Sequence, residues 1–127
     1  MDKKWRKQLV KRLPTNHSIK VLDVATGTGD LAIMMAKRCK RAKIRAVDIS
    51  ENMLEIAKKK AYKAKVDDKI LFNNANVESL PFEDNTFNYC TISFGIRNFE
   101  NIDKSLKEIY RCLKPGGKLF ILEFGKK

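Results

Sequence analysis

Apolar residues occur along this chain in two alternating patterns. Short, mostly apolar runs of strand length lie at residues 19–24, 44–48, 70–73, 89–94 and 118–124. Between them, apolar positions recur every three or four residues, which is the period of a helix with one buried face. A mostly apolar run is typical of a strand covered on both faces. The alternation therefore predicts an α/β protein whose mostly parallel sheet is flanked by helices.

Four segments carry the helical period. The apolar positions that define the last three are Leu31, Met34, Met35 and Cys39, then Met53, Ala57, Ala61 and Ala64, then Leu106, Ile109, Tyr110 and Leu113. The first segment, from Lys3 to Leu13, has Trp5 and Leu9 on the same side as Leu13 and is expected to pack as an extra helix. Ser50 is suited to cap the third helix. Each apolar side is expected to face the core.

The last predicted strand is expected to form an exposed edge of the sheet. Residues 114–117, Lys-Pro-Gly-Gly, should stop the preceding helix and turn sharply into this strand. The sequence ends shortly after the strand, so no later strand of this chain is expected to cover its outer edge, and an uncovered edge favours pairing. Two explanations stay open. The chain is a fragment of a longer protein, or the edge pairs with a second copy in a homo-oligomer.

The charge balance favours an anionic partner. The chain has 27 Lys and Arg against 15 Asp and Glu, a formal net charge of +12. Such an excess attracts nucleic acid or an anionic membrane surface. The lysine-rich segments also fit solvated helix faces, and no aromatic residues are interleaved with them as a single-strand stacking platform requires. Charge alone therefore does not identify the partner.

Other features of the composition narrow the class of protein. Cys39, Cys90 and Cys112 lie far apart and the chain has one histidine, so neither a disulfide framework nor a zinc site is indicated. No apolar run approaches the ~20 residues that span a bilayer, and the N-terminus has no apolar signal core. With 127 residues the chain is expected to form one domain. We expect a soluble cytoplasmic protein with reduced thiols.

A glycine-rich turn follows the first predicted strand in the stretch VLDVATGTGDLA. In parallel sheets of this kind, ligands bind beyond the carboxyl ends of the strands, where the strand order reverses. Gly27 and Gly29 let the main chain come close to a ligand, and the next helix offers unpaired N–H groups. A tight strand-to-helix turn also requires glycine, so the motif alone permits a purely structural interpretation.

Asp23 separates two classes of ligand for this turn. The spacing Gly27-x-Gly29-x-x-Ala32 also satisfies the dinucleotide fingerprint, which predicts a nicotinamide or flavin cofactor. Asp23 lies four residues before the first glycine, where its charge would repel a pyrophosphate. S-adenosylmethionine has no phosphate, and its amino and sulfonium groups are cationic. The carboxylate therefore favours S-adenosylmethionine.

The second predicted strand ends in a second acid. Asp48 lies 20 residues after Thr28, where a carboxylate can accept hydrogen bonds from both hydroxyls of an adenosine ribose. Ile49 and Met53 follow and offer apolar surface for an adenine. The alternative for Asp48 is a helix-capping or surface acid without a ligand.

Two later positions complete the candidate cofactor site. Asn76 follows the third predicted strand, and its amide can accept from the exocyclic amine of adenine and donate to a ring nitrogen. The backbone N–H of Val77 can assist. Ser93 and Gly95, at the end of the fourth strand, are expected beside the sulfonium. Taken alone, Asn76 is more typical of a turn residue.

Four blocks of the sequence resemble those of a known enzyme family. In order they are VLDVATGTGDLAI, AVDISENML, NANVESLPFEDNTFN and TISFGIRNFENIDKSLKEIYRCLKPGGKLFILEF. They are similar to class I methyltransferases, and specifically to the ubiquinone and menaquinone biosynthesis C-methyltransferases. The blocks SFGIRN and LKPGGKLFILEF are the more specific, because many methyltransferases share the glycine turn.

The resemblance implies a Rossmann-like fold with strand order 3-2-1-4-5 and one S-adenosylmethionine-binding domain over residues 1–127. The family's cofactor contacts fall on Thr28, Asp48, Asn76, Val77 and Ser93. The resemblance also implies that an N-terminal segment and, after the fifth strand, a helix and two closing strands are missing. The chain is therefore expected to be a fragment of a longer chain, able to bind the cofactor without turning over.

The reaction implied by the resemblance is transfer of the sulfonium methyl group to a ring carbon of a prenylated quinol, with no metal. The enzyme must align the reacting atoms, exclude water and help deprotonate the quinol. Arg97, beside Asn98 at the expected rim, is a candidate to stabilise the quinolate. The catalytic base stays unassigned, because the single histidine, His17, lies near the start of the chain. A lipid quinol would also explain the positive surface as a weak, salt-sensitive peripheral contact with the membrane.

Two other functions stay open. The first is methylation of RNA or another polyanion, which the charge favours and the absence of a recognisable RNA module opposes. The second is a non-enzymatic cofactor-binding or dimerising module whose open edge pairs with a partner. A nicotinamide enzyme is the least favoured because of Asp23.

Overall fold

A sheet of five parallel strands forms the centre of the protein, whose computed structural model describes residues 3–93, 96 and 99–122. The strands are β1 (Ile19–Val24), β2 (Ala42–Asp48), β3 (Ile70–Asn74), β4 (Phe87–Ser93) and β5 (Leu113–Leu122). Their order across the sheet is β3-β2-β1-β4-β5, and each neighbouring pair is parallel. The predicted α/β class and the strand order 3-2-1-4-5 are confirmed.

Within the described residues, four α-helices cover the two faces of this sheet. They are α1 (Lys3–Val10), α2 (Asp30–Arg38), α3 (Glu51–Lys63) and α4 (Ile102–Cys112). The first three pack with Val21 and Ile44 in one core cluster, whereas Ile109 of α4 packs with Leu22 and Ile92 in a second. Successive strand residues point to opposite faces, so neighbours such as Val21 and Leu22 belong to different clusters.

The helices next to the candidate site begin in different ways. Ser50 caps α3 as predicted, because its hydroxyl accepts from the Met53 N–H at 3.2 Å. Asn101 caps α4 in the same manner, accepting from the Lys104 N–H at 3.0 Å, and the sequence analysis did not single it out. Helix α2 follows Gly29 without a side-chain cap. Its first N–H groups are therefore not occupied by a capping side chain.

The N-terminal helix is present, and Leu9 and Leu13 of the predicted buried side are buried, whereas Trp5 is not. Trp5 is 48% exposed, whereas Arg6, Leu9 and Val10 are buried. Leu13 is buried too, although α1 ends at Val10 and a short turn follows it. Trp5 and Arg6 lie four and three residues before Leu9, so both have helical spacing to it. The prediction chose Trp5 because it is apolar, but Arg6 is the residue that is buried.

The Lys-Pro-Gly-Gly segment lies inside β5, which corrects the predicted turn. Leu113 pairs with Phe87 and Lys118 pairs with Tyr89, so the ladder is interrupted by a bulge between them. Gly116 has φ +83°, which an L side chain rarely adopts. A bulge accommodates these residues because it bends the strand without ending its pairing. Residues 94, 123 and 124 of the predicted strands lie outside the described residues.

Candidate cofactor site

A cleft of about 400 Å³ opens at the carboxyl ends of β1, β2 and β3. Val24 and Ala25 line it from β1, Val47, Asp48 and Ile49 from β2, and residues 75–78 from the segment after β3. The strand order reverses between β1 and β4, because the chain continues from β1 to one side of the sheet and from β4 to the other. The cleft therefore lies at the switch point of the sheet. Its volume is within the range of small-molecule sites, roughly 300–1,000 Å³.

The turn after β1 owes its shape to three residues in the left-handed region. Ala25, Gly27 and Gly29 have φ values of +57°, +58° and +80°. A Cβ at Gly27 would meet no protein atom within 4 Å, so this glycine leaves open space beside the turn. A Cβ at Gly29 would lie 2.9 Å from the Cβ of Ala57 on α3. Gly29 therefore permits close packing of the turn on α3, whereas the sequence analysis had assigned both glycines to the ligand.

Asp48 joins this turn to the start of α3. Its Oδ2 accepts from the Gly27 N–H at 2.8 Å, and its Oδ1 accepts from the Ser50 N–H at 2.9 Å. Two backbone donors fix the carboxylate at the cleft wall, and a carboxylate can accept about four hydrogen bonds in all. The side chain is thus rigidly placed and retains acceptor capacity for a ligand.

Asp23 lies beneath the turn and not on the cleft surface. The side chain is 1% exposed, and its two oxygens accept from the hydroxyls of Thr26 and Thr91, each at 2.7 Å. Burial raises the pKa of Asp23 to about 6, although both threonine hydrogen bonds act in the opposite direction. Its charge can act on a ligand only across the turn, without a direct contact at the cleft.

Asn76 and Val77 lie side by side at the cleft wall. The Asn76 Oδ1 accepts from the Glu78 N–H at 2.9 Å, which makes an Asx turn. One of the two lone pairs of that oxygen is therefore engaged, and the second lone pair and the amide nitrogen are left for a ligand. Val77 is 8% exposed and packs into the core below the cleft. Ile49 is 74% exposed and offers the predicted apolar surface.

Thr28 and Ser93 are less directly placed. The Thr28 hydroxyl accepts from Nζ of Lys60 on α3 at 3.4 Å, and Lys60 also pairs with Asp30. Thr28 and Ser93 are not among the residues that line the cleft, and neither are Gly27 and Gly29. Ser93 ends β4 beside β1, at the same edge of the sheet. The rim positions 95, 97 and 98 lie outside the described residues.

Some residues of the cleft wall were not predicted from the sequence, among them Glu78, Phe99 and Glu100. Glu78 directly follows Val77, and its Oε2 accepts from the Asn101 N–H at the start of α4 at 3.1 Å. Phe99 and Glu100 reach the cleft only through tertiary packing, which no spacing in the sequence reports.

The described part of the chain has neither a membrane-spanning helix nor a metal-binding cluster. None of its helices has the length and apolar content that crossing a bilayer requires. Residues 3–93, 96 and 99–122 also contain no group of three or more His, Cys, Asp or Glu side chains arranged to hold a metal ion.

Comparison with protein families and curated proteins gives a consistent result. Residues 1–127 match the model of the ubiE/COQ5 methyltransferase family. The ubiquinone/menaquinone biosynthesis C-methyltransferase UbiE of Rickettsia bellii (strain OSU 85-389) is 44% identical over 130 residues, which cover 99% of this chain and 52% of that protein. A demethylmenaquinone methyltransferase of Bacteroides fragilis is 42% identical over 123 residues, which cover 97% of this chain and 50% of that protein. The chain spans about half the length of these curated relatives.

Solved structures share the fold. A SAM-dependent methyltransferase from Aquifex aeolicus superposes with a TM-score of 0.87 at 25% identity, over 96% of this chain and 65% of that one. A phosphoethanolamine N-methyltransferase from Haemonchus contortus, solved with S-adenosylhomocysteine, gives a TM-score of 0.84 at 30% identity. That match covers 94% of this chain and 28% of that one.

Proposed function

Because this chain belongs to the ubiE/COQ5 methyltransferase family, we propose that residues 1–127 are the S-adenosylmethionine-binding domain of a C-methyltransferase that acts on a prenylated quinol. The observation that carries the proposal is Asp48, held by two backbone N–H groups at the wall of a cleft at the switch point. When bound, S-adenosylmethionine supplies a methyl group whose bond to sulfur breaks as a bond to the ring carbon forms, leaving a neutral thioether and releasing the ring proton.

Asp48 is the group we assign to the ribose. Asp48 lines the cleft, its carboxylate can accept about two hydrogen bonds beyond the two that it already accepts, and the two backbone donors keep it oriented without any ligand. Hydrogen bonds to a charged acceptor contribute about 1.5–3 kcal/mol. The two hydroxyls of a ribose can therefore donate to the lone pairs of Asp48 that the backbone leaves unused.

The adenine end is assigned to Ile49, Asn76 and Val77. The exposed Ile49 side chain offers an apolar surface of the kind on which a purine lies. The Asn76 amide nitrogen can donate to a ring nitrogen, and the Val77 N–H can do the same. The Asn76 oxygen accepts one hydrogen bond from the Glu78 N–H and keeps a second lone pair for the exocyclic amine of adenine.

The methionine end is assigned to the turn itself. Gly27 leaves open space beside the carboxylate of Asp48, and the buried charge of Asp23 favours a cation over a pyrophosphate across the turn. Thr28 and Ser93 stay in the proposal as residues near this end. The methyl acceptor would approach from the rim beyond β4.

The substrate class rests on the relatives. Those named above are, by name, a C-methyltransferase of ubiquinone and menaquinone biosynthesis and a demethylmenaquinone methyltransferase. We propose the same class here, with the protein in the cytoplasm and a weak contact between its positive surface and the membrane that holds a lipid quinol.

A thermal-shift comparison tests the proposal. S-adenosylmethionine and S-adenosylhomocysteine should raise the melting temperature of the chain at millimolar concentration, whereas NAD should not. Asp48→Asn should abolish most of the shift. Glu55→Gln, an exposed acid on α3 outside the cleft, is the matched control and should leave the shift unchanged. A shift with NAD, or none with either methionine ligand, contradicts the assignment.

A second candidate is methylation of a polyanion such as RNA, which the net charge of +12 favours. Incubation with radiolabelled S-adenosylmethionine and either demethylmenaquinol in vesicles or total RNA distinguishes the two substrates. Label in RNA alone would replace the quinol with a nucleic acid.

A further inference from the structure

A second cleft, of about 680 Å³, lies at the opposite end of the sheet. It is formed by the segment before β1, the start of β4 and the bulge of β5. Residues Ile19 and Val24, at the two ends of β1, are separated by about 16 Å, taking ~3.3 Å per strand residue. This cleft is therefore separate from the candidate cofactor site at the carboxyl ends of the strands.

The lining of the second cleft is basic. Arg12, His17, Lys114 and Lys118 line it, and no Asp or Glu does. In the part of the chain that the structure describes, the charged side chains of Arg12, Lys114 and Lys118 form no ion pair, whereas Lys60, Lys104 and Arg111 elsewhere do. Uncompensated cations in a concave surface focus the potential and raise the local concentration of anions.

The walls of this cleft are fixed by contacts in the sheet. Lys20 N–H donates to Oδ1 of Asn88 at 2.8 Å, which ties the start of β1 to β4. A Cβ at Gly117 would lie 2.9 Å from the Lys114 carbonyl oxygen and 3.1 Å from that of Asn88, so the bulge packs tightly on β4. Tyr89 stacks on Phe120 of β5, with ring centroids 6.0 Å apart. The backbone that carries the basic side chains is thus held in place by these contacts.

We propose that this basic cleft binds a ligand that carries phosphate groups. Lysine and arginine are the usual phosphate-binding side chains, and Ser18 adds a hydroxyl donor. The volume exceeds what one phosphate fills and suits a diphosphate or the head group of an anionic phospholipid. Both share the same phosphate chemistry, and the site is independent of the methyl-transfer proposal.

Two probes test the site and separate the two sources of phosphate. Inorganic pyrophosphate is titrated calorimetrically at low salt, and vesicles of phosphatidylglycerol are sedimented with the protein beside vesicles of phosphatidylcholine. The test variant is the double substitution Lys114→Gln and Lys118→Gln. The matched control, Lys59→Gln with Lys63→Gln, removes the same charge from exposed positions of α3 outside both clefts.

The cleft variant should lose about five-fold in affinity, because it removes two of the charged side chains that line the cleft, and the control should lose less than about two-fold. Binding of pyrophosphate alone identifies a soluble phosphate ligand, and binding of anionic vesicles alone identifies a lipid head group. Equal losses in the two variants, or no binding of either probe, overturn the proposal. All four positions are exposed, so melting temperatures should stay unchanged and report any misfolded variant.

Discussion

The two glycines of the turn after β1 should respond differently to alanine. Both adopt a left-handed backbone, and placing an L side chain there costs about 1–2 kcal/mol. At Gly29 the new methyl group would also lie 2.9 Å from the Ala57 Cβ and 3.5 Å from Cε1 of Phe72. Overpacking of this kind adds about 1–3 kcal/mol. We therefore expect Gly29→Ala to reduce the free energy of unfolding by about 2–5 kcal/mol, and Gly27→Ala by only about 1–2 kcal/mol.

Ligand binding should show the reverse order. The Gly27 Cβ would enter open space beside Asp48, where the proposed cofactor lies, so a methyl group there should weaken S-adenosylmethionine binding by about ten-fold or more. Gly29→Ala, where it still folds, should bind with an affinity closer to that of the unsubstituted chain, because its methyl group faces α3.

Urea unfolding followed by circular dichroism gives the first quantity, and isothermal titration calorimetry of the folded fraction gives the second. If Gly27→Ala unfolds as readily as Gly29→Ala, the packing argument is wrong. If Gly27→Ala binds the cofactor as tightly as the unsubstituted chain, the open space beside the turn is not part of the site.

Two further predictions concern the supports of the cleft. The Arg111 side chain donates to the carbonyl oxygens of Leu80 and Phe82 and to the carboxylates of Asp84 and Glu108. Arg111→Ala should therefore lower the free energy of unfolding, measured with urea, by about 2–4 kcal/mol. Arg111→Lys should lower it by less. Since these hydrogen bonds hold the segment that follows Asn76, cofactor affinity should fall as well. Full affinity in Arg111→Ala would show that this segment keeps its position without the Arg111 side chain. Burial raises the pKa of Asp23 from 3.8 to about 6, so the folded protein holds this proton more tightly than the unfolded chain, and its ionisation lowers stability as pH rises through that window. The stability difference between the unsubstituted chain and Asp23→Asn should therefore change by up to about 3 kcal/mol between pH 4 and pH 7, and a constant difference would contradict the assigned burial.

The sheet could be predicted from the sequence because each strand contains a short, mostly apolar run. The order β3-β2-β1-β4-β5 followed from the resemblance, and the position of Asp48 at the end of β2 followed from the strand boundary. The cap at Ser50 was predictable too, because helix capping depends only on local chain geometry.

The remaining features depend on contacts between distant parts of the chain. The role of Gly29 is set by Ala57 of α3, and the complete burial of Asp23 by hydroxyls from the turn and from β4. The bulge in β5 depends on pairing with β4, and the choice between Trp5 and Arg6 depends on what packs against α1. Periodicity and spacing do not report such contacts.

The most direct test of the central claim compares S-adenosylhomocysteine with an analogue that lacks both ribose hydroxyls, by calorimetric titration of the unsubstituted chain and of Asp48→Asn. Removal of the hydroxyls should cost the unsubstituted chain about ten-fold or more in affinity, since each hydrogen bond to a carboxylate contributes about 1.5–3 kcal/mol, and should cost the variant far less. Equal affinity for the two ligands in the unsubstituted chain, or the same loss in both proteins, would show that Asp48 does not hold the sugar.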